Sequence, residues 1–353
     1  MRILYLCQVN WEWILQRPQI LALKLEKDHS CTVVSKKYIF GRKILQSNTV
    51  PKQLLKVYQF PKSNVFDLLR VVNSLIYNLV VRIASKKFDA IWICHPCLFN
   101  GIPKNYKGII IYDCMDHHSA MSGTLNKKKV FDLEQKLISR SDVTFATSEK
   151  LKEVIPGLKN AILVRNGYQN SFLASKIKTA KIKNKYTIGY FGTISTWFDF
   201  ELLEYSLNHN CQVEYRLIGP VDPGISKNIN SGIIFEGIVE HEKLGEVVQE
   251  YDALIMPFEL NEIILAVDPV KLYEYIYMGK CIISVRYPEI ERFEPYVYFY
   301  NTKEDYKSLI EMLSRKGFPT KYNEEQKKIF LKENTWDARY EIILQNIEEY
   351  ECE

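Results

Sequence analysis

Short unbroken apolar runs alternate along this chain with longer stretches in which apolar positions recur every three or four residues. The first kind suits strands buried on both faces and the second suits amphipathic helices, so the alternation predicts a parallel α/β architecture. In the first half, strands are predicted at Arg2–Cys7, Cys31–Ser35, Ala90–Cys94, Ile109–Asp113, Val143–Thr147 and Ala161–Val164. Helices are predicted at Arg17–Lys27, Phe66–Lys86, Lys128–Ser139 and Glu149–Ile155, while Tyr38 to Pro61 carries neither period clearly. The pattern then breaks into a basic stretch, S-K-I-K-T-A-K-I-K-N-K from Ser175, that has no face to bury and reads as a linker. It restarts with strands predicted at Thr187–Phe191, Glu214–Ile218, Ile233–Glu236, Ala253–Met256 and Cys281–Ser284, and closes on a helix from Thr335 to Tyr350. The expected organisation is therefore a first domain over 1–174, a linker over 175–186, a second domain over 187–334 and a last helix over 335–353. Two doubly wound domains in tandem are expected to bind ligands in a cleft at the carboxyl ends of their strands.

One stretch carries the strongest local chemistry. Between the predicted strands Ala253–Met256 and Cys281–Ser284 lies a helix that Asp268 is expected to cap, with Pro269 at its first position and Gly279 just past its end. Such a helix start presents unpaired N–H groups and the positive end of the dipole, a seat for phosphate. Lys271 falls in the first turn, and Glu274, three residues on, shares its face and can accept hydrogen bonds from sugar hydroxyls. Cation and helix terminus for a diphosphate, carboxylate for a ribose: the stretch has the chemistry of a nucleotide-sugar site. Equally, a capped helix between two strands is ordinary in α/β proteins, and Lys271 with Glu274 would make an ordinary surface pair.

The chain's 353 residues are ample for two cores, and 47% apolar with 25% charged residues is the composition of a globular protein. A net charge of +5 fits anionic small molecules or an acidic membrane surface and is too weak to argue for nucleic acid, which is not expected as a partner. Eight cysteines with no secretory leader point to the cytoplasm, possible contact with the inner face of the plasma membrane included. Phe66 to Ala84 is the most apolar segment, but Asp67, Arg70, Asn73, Asn78 and Arg82 interrupt it, so it reads as an amphipathic helix able to touch a membrane and not to span one. After the first strand stands Cys7-Gln8-Val9-Asn10-Trp11 where a dinucleotide-binding domain would have G-x-G-x-x-G. Cys94-His95-Pro96-Cys97 and Cys114-Met115-Asp116-His117 match a zinc-like spacing. Cys94 and Cys114 each end an apolar run, however, where a cysteine serves as a small hydrophobe, and no metal is expected.

A set of ordered motifs runs over nearly the whole chain. It comprises Trp11 with Gln16-Arg17-Pro18-Gln19, then Ile111-Tyr112-Asp113-Cys114-Met115-Asp116-His117, Thr147-Ser148-Glu149 and Arg165-Asn166-Gly167. It continues through Ile188-Gly189-Tyr190-Phe191-Gly192-Thr193-Ile194-Ser195, Asp268-Pro269-Val270-Lys271-Leu272-Tyr273-Glu274-Tyr275 and Thr335-Trp336. In this the chain resembles the bacterial GT-B glycosyltransferases, close to glycosyltransferase family four and its teichuronic-acid and capsule-type relatives. The resemblance implies two Rossmann-like domains facing a cleft, with the last helix crossing back to the first. It implies transfer of a sugar from a nucleotide-sugar donor, UDP-linked by expectation, held by the second domain. The acceptor, a saccharide or lipid-linked saccharide of a bacterial surface polysaccharide, would be held by the first, with neither cofactor nor metal required. Two departures stand out: Ala266 occupies the position of the first of two glutamates in many retaining relatives, and Gly192 to Trp197 lacks the cations that often hold the diphosphate there.

On that resemblance the donor-binding residues are Gly192, Thr193, Gly237, Val239, Asp268, Pro269, Lys271 and Glu274, and Lys271 stabilises the leaving diphosphate. Arg17 is a second candidate cation. Asp113, Asp116, His117 and His118 cluster at a strand end, with Asp116 first and His117 second as general base for an inverting reaction. Strand-end aspartates also commonly do nothing more than bond their own loop. Trp11, Arg17, Asp113 and His118 are assigned to the acceptor, Trp13 is a further stacking candidate, and Trp336 is expected to pack structurally. A nucleotide-sugar epimerase of the same architecture and a catalytically decayed scaffold subunit of a membrane glycan-assembly complex are the competing readings.

Overall fold

The computed structural model describes residues 1–12, 15–38, 50–60, 67–121, 126–168, 177, 179–209, 212–225, 230–240 and 243–352. The chain divides into two compact units, Met1–Asn166 with Trp336–Glu353, and Gly167–Thr335.

The first unit is built on strands β1 (Arg2–Cys7), β2 (Ser30–Tyr38), β3 (Leu54–Gln59), β4 (Ala90–Ile93), β5 (Ile109–Cys114), β6 (Val143–Ala146) and β7 (Ile162–Leu163). They form one sheet in the order β3-β2-β1-β4-β5-β6-β7, with every pairing parallel. The apolar runs of β1 and β4 are buried throughout because helices cover both faces. Trp92 anchors that core, its ring stacked 5.6 Å from Tyr5 on one side and 5.6 Å from Phe145 on the other. The helices are α1 (Arg17–Asp28), α2 (Asp67–Ala84), α3 (His118–Met121), α4 (Lys127–Ile138) and α5 (Glu149–Val154). Strand β3 lies in the stretch whose period was unreadable. It is an edge strand with Leu55 and Tyr58 exposed, so it lacks the continuous apolar run of its neighbours.

The second unit repeats the theme with β8 (Tyr186–Phe191), β9 (Val213–Ile218), β10 (Ile233–Gly237), β11 (Ala253–Met256), β12 (Cys281–Val285) and β13 (Tyr298–Tyr300). The order is β10-β9-β8-β11-β12-β13, again all parallel. Its helices are α6 (Phe200–Asn208), α7 (Leu244–Gln249), α8 (Val270–Tyr277), α9 (Lys303–Lys316) and α10 (Glu324–Glu333). Strand order reverses beside β8, where β8 is flanked by β9 and β11, and beside β1 in the first unit, where β1 is flanked by β2 and β4. Ligands of doubly wound folds bind outside the carboxyl ends of the strands at such switch points. The three-residue β13 was not anticipated because Tyr298-Phe299-Tyr300 is too short to show a period.

The last helix, α11 (Trp336–Cys352), belongs to the first unit. Trp336 is buried there, Tyr340 Oη donates to Asp28 at 2.9 Å, and Tyr350 Oη donates to Asp142 at 2.9 Å.

Candidate functional site

In the second unit, three neighbouring strands end in glycine. Gly192 follows β8 with φ +135°, Gly219 follows β9 with φ +138°, and Gly237 ends β10 with φ +74°. Backbone bonds knit them together: Gly192 N–H donates to Ile218 O at 2.9 Å and Gly219 N–H to Gly237 O at 2.7 Å. A side chain on Gly219 would run into backbone, and one on Gly192 would take the place of the end of the Lys271 side chain. A Cβ on Gly219 would lie 2.1 Å from Gly192 O, and a Cβ on Gly192 would lie 2.3 Å from Lys271 Cε and 2.9 Å from its Nζ. Around Gly237 there is open space. The result is a ledge of bare backbone with the Lys271 stem resting on Gly192.

Lys271 stands in the first turn of α8, its ammonium 5.6 Å from the centre of the Tyr190 ring. Lys271 and Glu274 are both half-buried. Burial lowers the Lys271 pKa against the pull of Glu274, and burial pushes the Glu274 carboxyl up to about 7 against the pull of Lys271. Lost solvent thus works against the charged form of each group, and their mutual attraction works for it. An anion placed beside Lys271 would add counter-charge. Thr193 lies on the same loop, its carbonyl accepting from Tyr190 Oη at 2.9 Å, and Val239 is half-buried against the core just beyond Gly237.

The start of α8 differs from the expected cap. Pro269, not Asp268, is the N-cap (φ −81°, ψ 114°), the helix begins at Val270, and no side chain caps it. Asp268 is buried and turned elsewhere: both its oxygens accept from Tyr273 Oη at 3.1 Å, and it pairs with Arg292. Arg292 escaped sequence reasoning because it arrives from a 3-10 segment, Pro288–Phe293, beyond β12. The end of the helix is as expected, with Gly279 at φ +67°.

In the first unit, several expected ligand residues prove to be internal. Arg17 and Asp113 form a buried fork, with Nε at 3.2 and 3.0 Å from the two carboxylate oxygens and Nη2 at 2.7 Å from Oδ1. The other arm, Nη1, donates to Val164 O at 2.9 Å, which ties the start of α1 to the ends of β5 and β7. Arg17 as a cation for phosphate and Asp113 as an acceptor ligand are therefore corrected: each is spent on the other. Trp11 is also corrected, since it is 2% exposed, with its backbone N–H donating to Ser35 Oγ at 3.0 Å, and it has no ring face to offer a sugar. Trp13 lies outside the described residues. His118 is buried with its ring 4.5 Å from that of His95, so it is packing and not acceptor surface. Burial pushes His118 down to about 3 and His95 down to about 2.

Asp116 and His117 remain half-buried on the loop after β5. Burial pushes the Asp116 carboxyl up to about 7, with Arg17 pulling down and Asp113 pushing up. A carboxylate titrating near neutrality has the proton affinity a general base needs. Beneath this loop, sequence reasoning missed Glu134. It is fully buried on α4, accepts from Tyr112 Oη at 2.6 Å, and is pushed up to about 7 by burial. The cysteines do not converge: Cys94 Sγ lies 3.2 Å from Tyr5 Oη, and Cys114 Sγ lies 3.9 Å from Glu134 Oε1. Among the described residues no group of three His, Cys, Asp or Glu side chains is placed to hold a metal ion.

Comparison with solved structures decides the architecture. Sucrose-phosphate synthase from Thermosynechococcus elongatus superposes with a TM-score of 0.76 at 11% identity, covering 99% of each chain. The Anabaena protein HepE, solved in complex with UDP and glucose, gives 0.67 at 13% identity, and the lipopolysaccharide outer core galactosyltransferase WaaB gives 0.65 at 13%, each covering 99% of both chains. The fold is that of the GT-B glycosyltransferases. No family model matches the chain. Among curated proteins, TuaH of Bacillus subtilis (strain 168), provisionally named a teichuronic acid biosynthesis glycosyltransferase, is 24% identical over 214 residues, 54% of either chain. The chain thus spans about half the length of that curated relative. In GT-B terms, the glycine ledge and the start of α8 lie at the switch point of the second Rossmann-like unit.

Proposed function

We propose that this protein is a glycosyltransferase that moves a sugar from a nucleotide donor, UDP-linked, to a saccharide or lipid-linked saccharide in bacterial surface polysaccharide synthesis. The observation that carries the reading is the bare ledge at Gly192 with Lys271 lying on it at the uncapped start of α8. Phosphate oxygens can approach backbone this closely only where side chains are absent. The HepE complex with UDP and glucose and the teichuronic acid assignment of TuaH support the donor and the pathway class.

In the proposed reaction the acceptor hydroxyl oxygen attacks the anomeric carbon while the bond from that carbon to the diphosphate breaks. The leaving electron pair stays on the diphosphate oxygen, stabilised by Lys271 and the N–H groups of the first turn of α8. Glu274 accepts from donor hydroxyls, and Asp116 takes the acceptor's proton. Ala266 stands buried at the position that a glutamate holds in many retaining relatives, which favours a base-assisted route. Calorimetry with UDP and turnover with a panel of UDP-, GDP- and TDP-sugars test this together. Lys271→Ala should weaken UDP binding by about 2–3 kcal/mol. Asp116→Asn should leave UDP affinity intact and cut turnover by roughly 10²–10⁴. Epimerised donor without nucleotide release would replace transfer by epimerisation, and absence of any donor binding would leave a scaffold.

The acceptor's lipid is met, in this proposal, by α2. Val71, Leu75, Leu79 and Ile83 recur every fourth residue and are 55–62% exposed, with Ile76 beside them. Among the described residues no helix is long and apolar enough to cross a membrane, so α2 would lie on the surface. Leu75→Glu with Leu79→Glu should abolish co-sedimentation with phosphatidylglycerol vesicles while leaving UDP affinity unchanged; retained sedimentation would exclude α2 as the contact.

A further inference from the structure

The carboxylate of Asp268 sits immediately before the N-cap of α8, where a free acid would do harm to an anion site. It could swing onto the open N–H groups as a cap, or repel the diphosphate directly. The structure shows what prevents both. Asp268 has no exposed side-chain surface, is held by Tyr273 Oη at 3.1 Å, and pairs with Arg292, whose guanidinium carbon lies 4.0 Å from the centre of the Phe293 ring and 5.4 Å from that of Tyr273. Arg292 Nη2 also donates to Tyr273 Oη at 3.0 Å, so cation, phenol and carboxylate close on one another. A second tie joins the same two segments, Tyr287 Oη donating to Val267 O at 3.2 Å. The turn ahead of α8 is thereby fastened to the segment after β12, three residues before Lys271 meets Gly192.

We propose that Arg292 is a positioning residue of the donor site. It neutralises Asp268, draws that carboxylate off the helix start and fixes the turn that aims Lys271. Asp268 then serves the site by being removed from it, and is not itself a donor ligand. The inference rests on the donor-site reading above and adds a residue that the sequence motifs do not contain.

The two members of the pair should respond with opposite sign when UDP affinity of the full chain is measured by calorimetry. Arg292→Gln takes the paired cation from a buried carboxylate beside the site and should weaken UDP by about tenfold or more. Asp268→Asn keeps an oxygen for Arg292 and Tyr273 but loses the negative charge, so affinity should be unchanged or higher. Combining both, Asp268→Asn/Arg292→Gln should restore most of what Arg292→Gln lost. With a transferable donor, the Arg292→Gln defect should appear in kcat as well as in KM, because a displaced Lys271 also loses its hold on the leaving diphosphate, and Asp268→Asn/Arg292→Gln should recover both. A tenfold loss in Asp268→Asn would overturn the inference, as would a double variant no better than Arg292→Gln. So would an unaltered Arg292→Gln alongside a weakened Lys271→Ala. If Lys271→Ala also binds normally, the donor-site reading itself has failed and this one goes with it. Should Arg292→Gln not fold, Asp268→Asn still decides between the two roles of that carboxylate.

Discussion

Two charge pairs, one in each unit, look alike on paper and behave as opposites. Arg17 with Asp113 is a buried fork whose side chains are 4% and 0% exposed, with the guanidinium's other arm bonded to backbone. Lys271 with Glu274 is half-buried, makes no fork, and has both pKa values drawn toward neutrality by lost solvent. The first pair has its full complement of partners and is a brace. The second is half-buried beside bare backbone, its ammonium over the Tyr190 ring, and its lysine can still take up an anion. A cation at a strand's carboxyl end is therefore uninformative until its partners are known.

The largest effect expected from this contrast is on stability. Arg17→Met strands Asp113 in the core and should cost about 3–5 kcal/mol in denaturant unfolding, whereas Arg17→Met/Asp113→Leu should recover most of the loss. Lys271→Ala, by contrast, should leave stability close to wild type and act on UDP binding. If Arg17→Met unfolds at the wild-type midpoint, the pair is no brace and the comparison breaks.

A smaller effect tests how tightly the ledge is fitted. Gly192→Ala must relieve a contact of 2.3 Å with Lys271 Cε and accept φ +135°. The strain should cost about 1–3 kcal/mol and displace the ammonium, so UDP affinity should fall with it. Gly237→Ala meets nothing within 4 Å, although φ is +74° there, so its loss should be confined to stability. Equal losses of UDP affinity in the two variants would remove the special role of Gly192.

Much of this architecture was legible because buried parallel strands write themselves as unbroken apolar runs, β1, β5, β8 and β11 most clearly. Gly192 and Lys271 could be nominated separately from the strand end and the helix start, and the fold brings them together. What stayed hidden depends on distance along the chain. Arg17 finds Asp113 across 96 residues and Arg292 finds Asp268 across 24, and no local pattern announces either. Pro269 took the cap expected of Asp268 because that carboxylate had a cation to satisfy elsewhere.

The finest test concerns two buried acids of the first unit, Asp113 with its guanidinium and Glu134 with a phenol and a thiol. Burial raises the Glu134 pKa from the ordinary carboxylate value of 4.5 to about 7, with Tyr112 and Cys114 opposing. The folded state then binds a proton that the unfolded chain has released, so its contribution to stability is complete below about pH 4.5 and is lost as pH rises to about 7. His95 and His118 act with the opposite sign. Burial depresses both, so their contribution is present above about pH 6.5 and is lost as pH falls toward 3. Glu134→Gln keeps an oxygen for Tyr112 and cannot ionise. Its stability relative to wild type should therefore rise from pH 5 to pH 8, read as the shift in urea midpoint between the two proteins. A difference that stays flat over that range would mean Glu134 ionises like an exposed acid, and would erase the distinction between a carboxyl that is paired and one that is kept neutral.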